Sequence, residues 1–143
     1  MTLRRALTLL VVVSALVGCQ APPAALYPGT ASAQLFVRND EQRRMDPAGK
    51  LSDGQLKRLT AAIHALPQAD FGPACFVPHH FFRMHDAAGK MIGEIAVCFC
   101  CRGVHAKPIL PFSESLEVGA DYEALADLVR EPGSTPKLNC GLH

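Results

Sequence analysis

Cys75-Phe76-Val77-Pro78-His79-His80-Phe81-Phe82-Arg83-Met84-His85, followed by Asp86-Ala87-Ala88-Gly89-Lys90 and the run Met91 to Cys101, is the stretch on which the fold turns. Two segments rich in aromatic and bulky residues flank a short polar one, which is a β-hairpin signature. Gly89 suits the left-handed position of a type I turn followed by a bulge. With Asp86 set opposite Lys90, the pairing runs back to place His80 opposite Ala96, Pro78 opposite Cys98 and Cys75 opposite Cys101. A slip of one residue exchanges the two faces, because side chains alternate along a strand.

Helices are predicted on both sides of this hairpin. Ser52-Asp53-Gly54-Gln55 reads as a capping box, with Leu51 and Leu56 at the staple positions. Leu56, Leu59, Ile63 and Leu66 then recur on one helical face until Pro67, which predicts a helix over 53–66. Asp121 caps a second helix over 121–130, whose apolar face is Tyr122, Leu125, Leu128 and Val129, ended by Pro132-Gly133. Leu35-Phe36-Val37 reads as a short strand, and Ile109-Leu110, between two prolines, as an edge strand. The expected fold is α+β: a small antiparallel sheet built on the central hairpin, packed against the two helices, in one domain over 35–143.

Ahead of that domain the chain changes character. Arg4 and Arg5, an apolar run from Ala6 to Val17, and Gly18-Cys19 follow the order of a secretory signal. Twelve helical residues cover about 18 Å, too little for a hydrocarbon core of roughly 30 Å. Leu16-Val17-Gly18-Cys19 resembles the lipobox of bacterial lipoproteins. The resemblance implies a signal peptide over 1–18, acyl chains such as palmitate on Cys19, and a membrane partner reached through that lipid. Gln20, in place of the Asp that favours inner-membrane retention, implies the periplasmic face of the outer membrane. Residues 19–34, rich in Pro and Ala, read as a flexible tether of about 45 Å at about 3.1 Å per residue. Removing Arg4 and Arg5 with the leader takes Lys+Arg from 14 to 12, against 13 Asp+Glu. No basic patch or run remains, so nucleic acid is excluded as a partner class.

Beyond Cys19, the cysteines are Cys75, Cys98, Cys100, Cys101 and Cys140, an odd number that cannot be fully paired within the chain. An oxidising compartment favours disulfides. Cys98 and Cys101 lie about 10 Å apart along a regular strand, beyond the roughly 7 Å between bridged Cα atoms. Cys75 and Cys101, directly opposed in the expected register, form the disulfide candidate. Cys98 and Cys100 share a face with His80 in that register.

The hairpin motifs C-F-x-P-H-H, D-x-x-G-K and C-F-x-C resemble a group of small, uncharacterised bacterial proteins, over roughly residues 50 to 130. The resemblance implies that Cys75, His79, His80, Cys98 and Cys101 are its cysteine and histidine positions. Cys100 then fills a variable place, and His85 stands where an aromatic often precedes the turn aspartate. No activity comes with it.

Thiolate and imidazole are zinc's preferred ligands, so Cys75, His80, Cys98 and Cys101 make a candidate Cys3His site. Copper is the variant, motivated by His79, His80, Met84, His85 and Met91 beside the thiols. Disulfides or buried thiols stiffening the hairpin remain the competing reading. A Cys98–His80 nucleophile pair has only Glu94 as an acidic neighbour and no oxyanion site, and haem, phosphate-loop and nucleophile-elbow motifs are absent from the sequence, so no catalytic residue is assigned. The expected function is a lipid-anchored cell-envelope protein with a small non-catalytic structural or interaction domain and an envelope-protein partner. The alternative is a zinc- or copper-binding periplasmic module, with a thiol-dependent enzyme third.

Overall fold

At its turn the hairpin closes as its residues dictate: Gly89 has φ +80°, the Asp86 amide donates to the Lys90 carbonyl at 2.9 Å, and Asp86 Oδ1 accepts from the Ala88 and Lys90 amides. The molecule is a computed structural model that describes residues 25–66 and 75–137. The signal peptide, Cys19 and Cys140 lie outside the described residues. In chain order the elements are β1 (Ser32–Asn39), β2 (Arg44–Lys50), α1 (Asp53–Ala62), β3 (Ile63–His64), β4 (His80–His85), β5 (Met91–Cys98), β6 (Gly103–Lys107), β7 (Gly119–Ala120) and α2 (Tyr122–Arg130). β2-β1-β4-β5-β6 form one five-stranded antiparallel sheet, and β3 pairs with β7 beside it. The fold is α+β, with the hairpin β4–β5 inside the sheet and both helices on one face of it.

That face is set by register. Leu35 of β1, Phe82 of β4, Ile95 of β5 and Ala106 of β6 lie in one cross-strand row, all with no exposed surface, and Leu59, Leu125, Leu128 and Val129 of the helices join them in the core. The reverse face carries the directly opposed pair Arg83–Glu94, bonded Nε to Oε2 at 2.7 Å, with the Arg83 guanidinium 4.5 Å from the Phe36 ring centroid.

One bulge alters the expected pairing. His85 faces Met91 as the turn predicts, but between Met84 and His85 the register shifts by one, and beyond it Phe82 faces Ile95 and His80 faces Val97. The extra residue, Ile92, exchanges the faces of everything farther along β5, as a one-residue slip must.

Other boundaries move for physical reasons. The capping box at Ser52 and Gln55 forms as expected, but α1 stops at Ala62, because Ile63 turns extended to pair with Ala120. The edge strand is β6, whereas Ile109–Leu110 is not a strand: Leu110 is buried and Ile109 exposed. β2 is invisible to pattern reading because Pro47 interrupts it. It tolerates that proline as an outer strand, opposite the bulge between Leu35 and Phe36. The tether expected over 19–34 is also shorter than its composition suggests. Leu26 and Tyr27 are buried in the core, Tyr27 Oη donates to the Pro108 carbonyl at 2.9 Å, and β1 already begins at Ser32.

Candidate functional site

The cysteines gather at the open end of the hairpin. β5 stops at Cys98, and the chain turns through Phe99 to Arg102, which holds φ +51°, into β6. This turn defeats the spacing of a regular strand: the Sγ atoms of Cys98, Cys100 and Cys101 all lie within 4.8 Å of one another. Cys98 Sγ is fully buried and 3.3 Å from Cys100 Sγ.

The sulfurs differ in oxidation state. Cys100 is disulfide-bonded, whereas Cys75, Cys98 and Cys101 carry thiols. A disulfide sulfur has no hydrogen, so Cys98 is the donor in its contact with Cys100. Burial, and then the neighbouring Cys98, push the Cys101 thiol up to about 12, against a weaker lowering by the Val77 backbone. Cys101 therefore remains protonated at neutral pH unless a cation replaces the proton. Arg102 stacks beside the cluster, 4.8 Å from the Tyr122 ring centroid.

The predicted set of Cys75, His80, Cys98 and Cys101 is divided. Cys98 and Cys101 come together. Cys75, exposed ahead of β4, contributes only a charge effect on Cys101, and the two form no disulfide in this structure. His80 lies on the core face with Phe82 and Met84 of its own strand, and the bulge in β5 sets Val97, not Ala96, opposite it and turns Cys98 to the other face. There its Nε2 is 3.3 Å from the Thr135 carbonyl, its ring meets Phe99 edge-on at 5.0 Å, and burial lowers its pKa to about 4. The buried Nδ1 finds no hydrogen-bond partner among the described residues. The wider copper set disperses as well: Met84 is in the core, Met91 is exposed, and His79 Nε2 meets Asp40 at 2.9 Å and Lys137 Nζ at 3.0 Å. The Lys137 ammonium first, and His79 after it, hold the Asp40 carboxyl down to about 2. Glu94 is bound to Arg83, leaving the Cys98–His80 pair without an orienting acid as well as without proximity.

Cys100 is the member that sequence reasoning undervalued. Its signal is the C-x-C-C spacing, which gathers sulfurs only when a tight turn, not a strand, follows the first of them. The chemistry this permits is soft-metal ligation. Tetrahedral zinc–sulfur bonds of 2.3 Å place sulfurs about 3.8 Å apart, a spacing compatible with the 3.3 Å between Cys98 and Cys100 and with a cluster held within 4.8 Å. Comparisons with protein-family models, curated proteins and solved structures find no match.

Proposed function

We propose that this chain is a lipid-anchored cell-envelope protein whose non-catalytic domain binds a thiophilic metal ion at the turn from Cys98 to Cys101. The anchor rests on Leu16-Val17-Gly18-Cys19 and its resemblance to the bacterial lipobox. Acyl chains on Cys19, contributing about 0.8 kcal/mol per buried methylene, give stable attachment when two or more are present, and Gln20 favours the periplasmic face of the outer membrane. The metal reading is carried by one observation, the three sulfurs within 4.8 Å of one another. Copper(I) is satisfied by thiolates alone, whereas a closed zinc site takes a fourth ligand; among the described residues Cys75 is the further thiol whose charge acts on Cys101. Ligation by Cys100 needs its thiolate, so the full set is available after a dithiol reductant opens its disulfide.

That disulfide also favours a second reading, in which the cluster is a covalent staple in a structural or interaction domain that meets another envelope protein. Metal analysis of the membrane-extracted chain, before and after reduction, separates the two. A stoichiometric zinc or copper ion retained after reduction, and lost in a Cys98→Ser/Cys101→Ser variant, supports the metal reading; metal-free protein in both states leaves the staple. Intact mass tests the anchor, since a product without acyl mass, or unchanged membrane fractionation of Cys19→Ser, removes it.

A further inference from the structure

The two ends of the sheet differ in what they expose. At one end lie the start of β1, with Ser32 opposite His85, the turn Asp86–Lys90, and the departure of β6 at Lys107, opposite Glu94; the turn from Cys98 to Cys101 lies at the other. Among the described residues five large apolar side chains are exposed. Met91, Ile109 and Phe112 belong to the first end, Leu116 follows on the chain returning beside Ala106, and Val77 precedes β4 at the cysteine end.

The loop that carries Ile109 and Phe112 is held in place from within. Leu110, between them, is buried, the Ser113 amide donates to its carbonyl at 3.0 Å, and the Pro108 carbonyl accepts from Tyr27 Oη at 2.9 Å. Ile109 and Phe112 are thereby kept exposed, one hydrogen bond from the strap by which the chain enters the domain. We propose that this end of the domain is a membrane-contact surface, where Ile109 and Phe112 enter the boundary between lipid headgroups and acyl chains and the cysteine turn points away from the bilayer.

The inference rests on the reading of Cys19 as the lipid anchor, and the length of the leash carries it. Ala25 begins the described chain six residues after Cys19, so even fully extended the link spans at most about 22 Å. The seven steps from Met91 to Cys98 along β5 cover about 23 Å. A leash no longer than the sheet cannot let the domain invert and bring its cysteine end to the lipid. Exposed apolar side chains grouped on a polar surface mark contact sites, and at a bilayer such side chains settle about 5 to 10 Å deep. Charge at this end gives no other direction, because Lys90 and Lys107 stand against Asp86 and Glu114 and no field of one sign faces outward. The contact is therefore apolar, and the lipid surface is the apolar partner that the anchor keeps in reach.

The chain contains no tryptophan, so Phe112→Trp and Val77→Trp each place a single fluorophore at one end, both at exposed positions. The acylated protein, extracted from membranes, is reconstituted into vesicles of phosphatidylethanolamine and phosphatidylglycerol with or without bromine on the acyl chains. Phe112→Trp is expected to emit at shorter wavelength and to lose most of its emission to bromine, while Val77→Trp loses little. Adding Ile109→Asp to Phe112→Trp should restore most of the lost emission, and added salt should not. Equal quenching at the two ends overturns the proposal, as does quenching at neither, or quenching that survives Ile109→Asp or that salt abolishes. A shift to shorter wavelength without bromine quenching also overturns it, because a second copy then covers the loop. Intact mass of the same sample reads the anchor separately. An unacylated chain removes the anchor and this inference together, whereas unquenched emission from an acylated chain removes this inference and leaves the anchor.

Discussion

The two ends of the β4–β5 hairpin follow different rules. At the closed end, local chemistry decides: Asp86 satisfies two amides, Gly89 accepts a left-handed backbone, and His85 pairs with Met91. At the open end, tertiary packing decides. One bulged residue in β5 turns Ile95 and Val97 to the core face that Phe82 and His80 occupy, and turns Cys98 away from His80. A turn can be read from its own residues, whereas register several pairs away depends on which of two nearly equivalent alignments buries more apolar surface.

The contrast predicts that substitutions lose importance from the open end toward the turn. Phe82→Ala removes a ring with no exposed surface from the centre of the sheet, and should destabilise the domain by about 3 to 5 kcal/mol in chemical denaturation. The same change at half-buried Phe81, opposite Ala96 on the reverse face, should have a much smaller effect; equal losses would break the comparison.

His80 gives the next largest effect, read through pH. Its pKa is lowered from 6.5 to about 4, chiefly by burial, and it is kept neutral with Nε2 set to donate to Thr135. The unfolded chain therefore binds more protons than the folded one between these values, so stability is fully present above about pH 6.5 and falls as the pH drops toward 4. The shift corresponds to about 3 kcal/mol. Urea midpoints across that window should decline in the wild type and decline less in His80→Leu; parallel curves would show that burial of this imidazole does not set the acid limit.

Much of the fold was legible because its signals are local. Ser52 and Gln55 cap α1, Asp121 caps α2 by accepting from the Glu123 and Ala124 amides, and the leucine faces of both helices meet the core. β2 was not legible, because Pro47 argues against a strand and only an outer position excuses it. Leu26 and Tyr27 carry no periodic signal, and the Tyr27 ring packs on Gly93, far along the chain from any local motif. For the site, Cys98 and Cys101 were identified, but through an alignment that also brought in His80 and Cys75. The bulge removed the first, and a tight turn in place of a strand end substituted Cys100 for the second.

Gly93 lies between the two regimes. A Cβ there would fall 2.3 Å from the Tyr27 ring, and that ring is pinned through its hydroxyl to Pro108, so it cannot swing away without breaking the bond. Gly93→Ala should destabilise by about 1 to 3 kcal/mol, as overpacking does. It should also free the segment around Leu26 for proteolysis, which the Phe81 substitution should not do. Intact protection of that segment in Gly93→Ala would mean that the amino-terminal strap is not held by this contact.

The smallest effect belongs to the turn itself. At Gly89 nothing lies within 4 Å of an added Cβ, and φ is +80°, so Gly89→Ala meets no neighbour and only the backbone preference is at stake. That preference amounts to about 1 to 2 kcal/mol for an alanine held in the left-handed region, and part of it is offset by the reduced entropy of the unfolded chain. Gly89→Asn should lose less, because asparagine visits this region more readily. If alanine and asparagine prove equally harmful, the turn is constrained by packing after all, and the distinction between a locally determined end and a tertiary one fails where it should be cleanest.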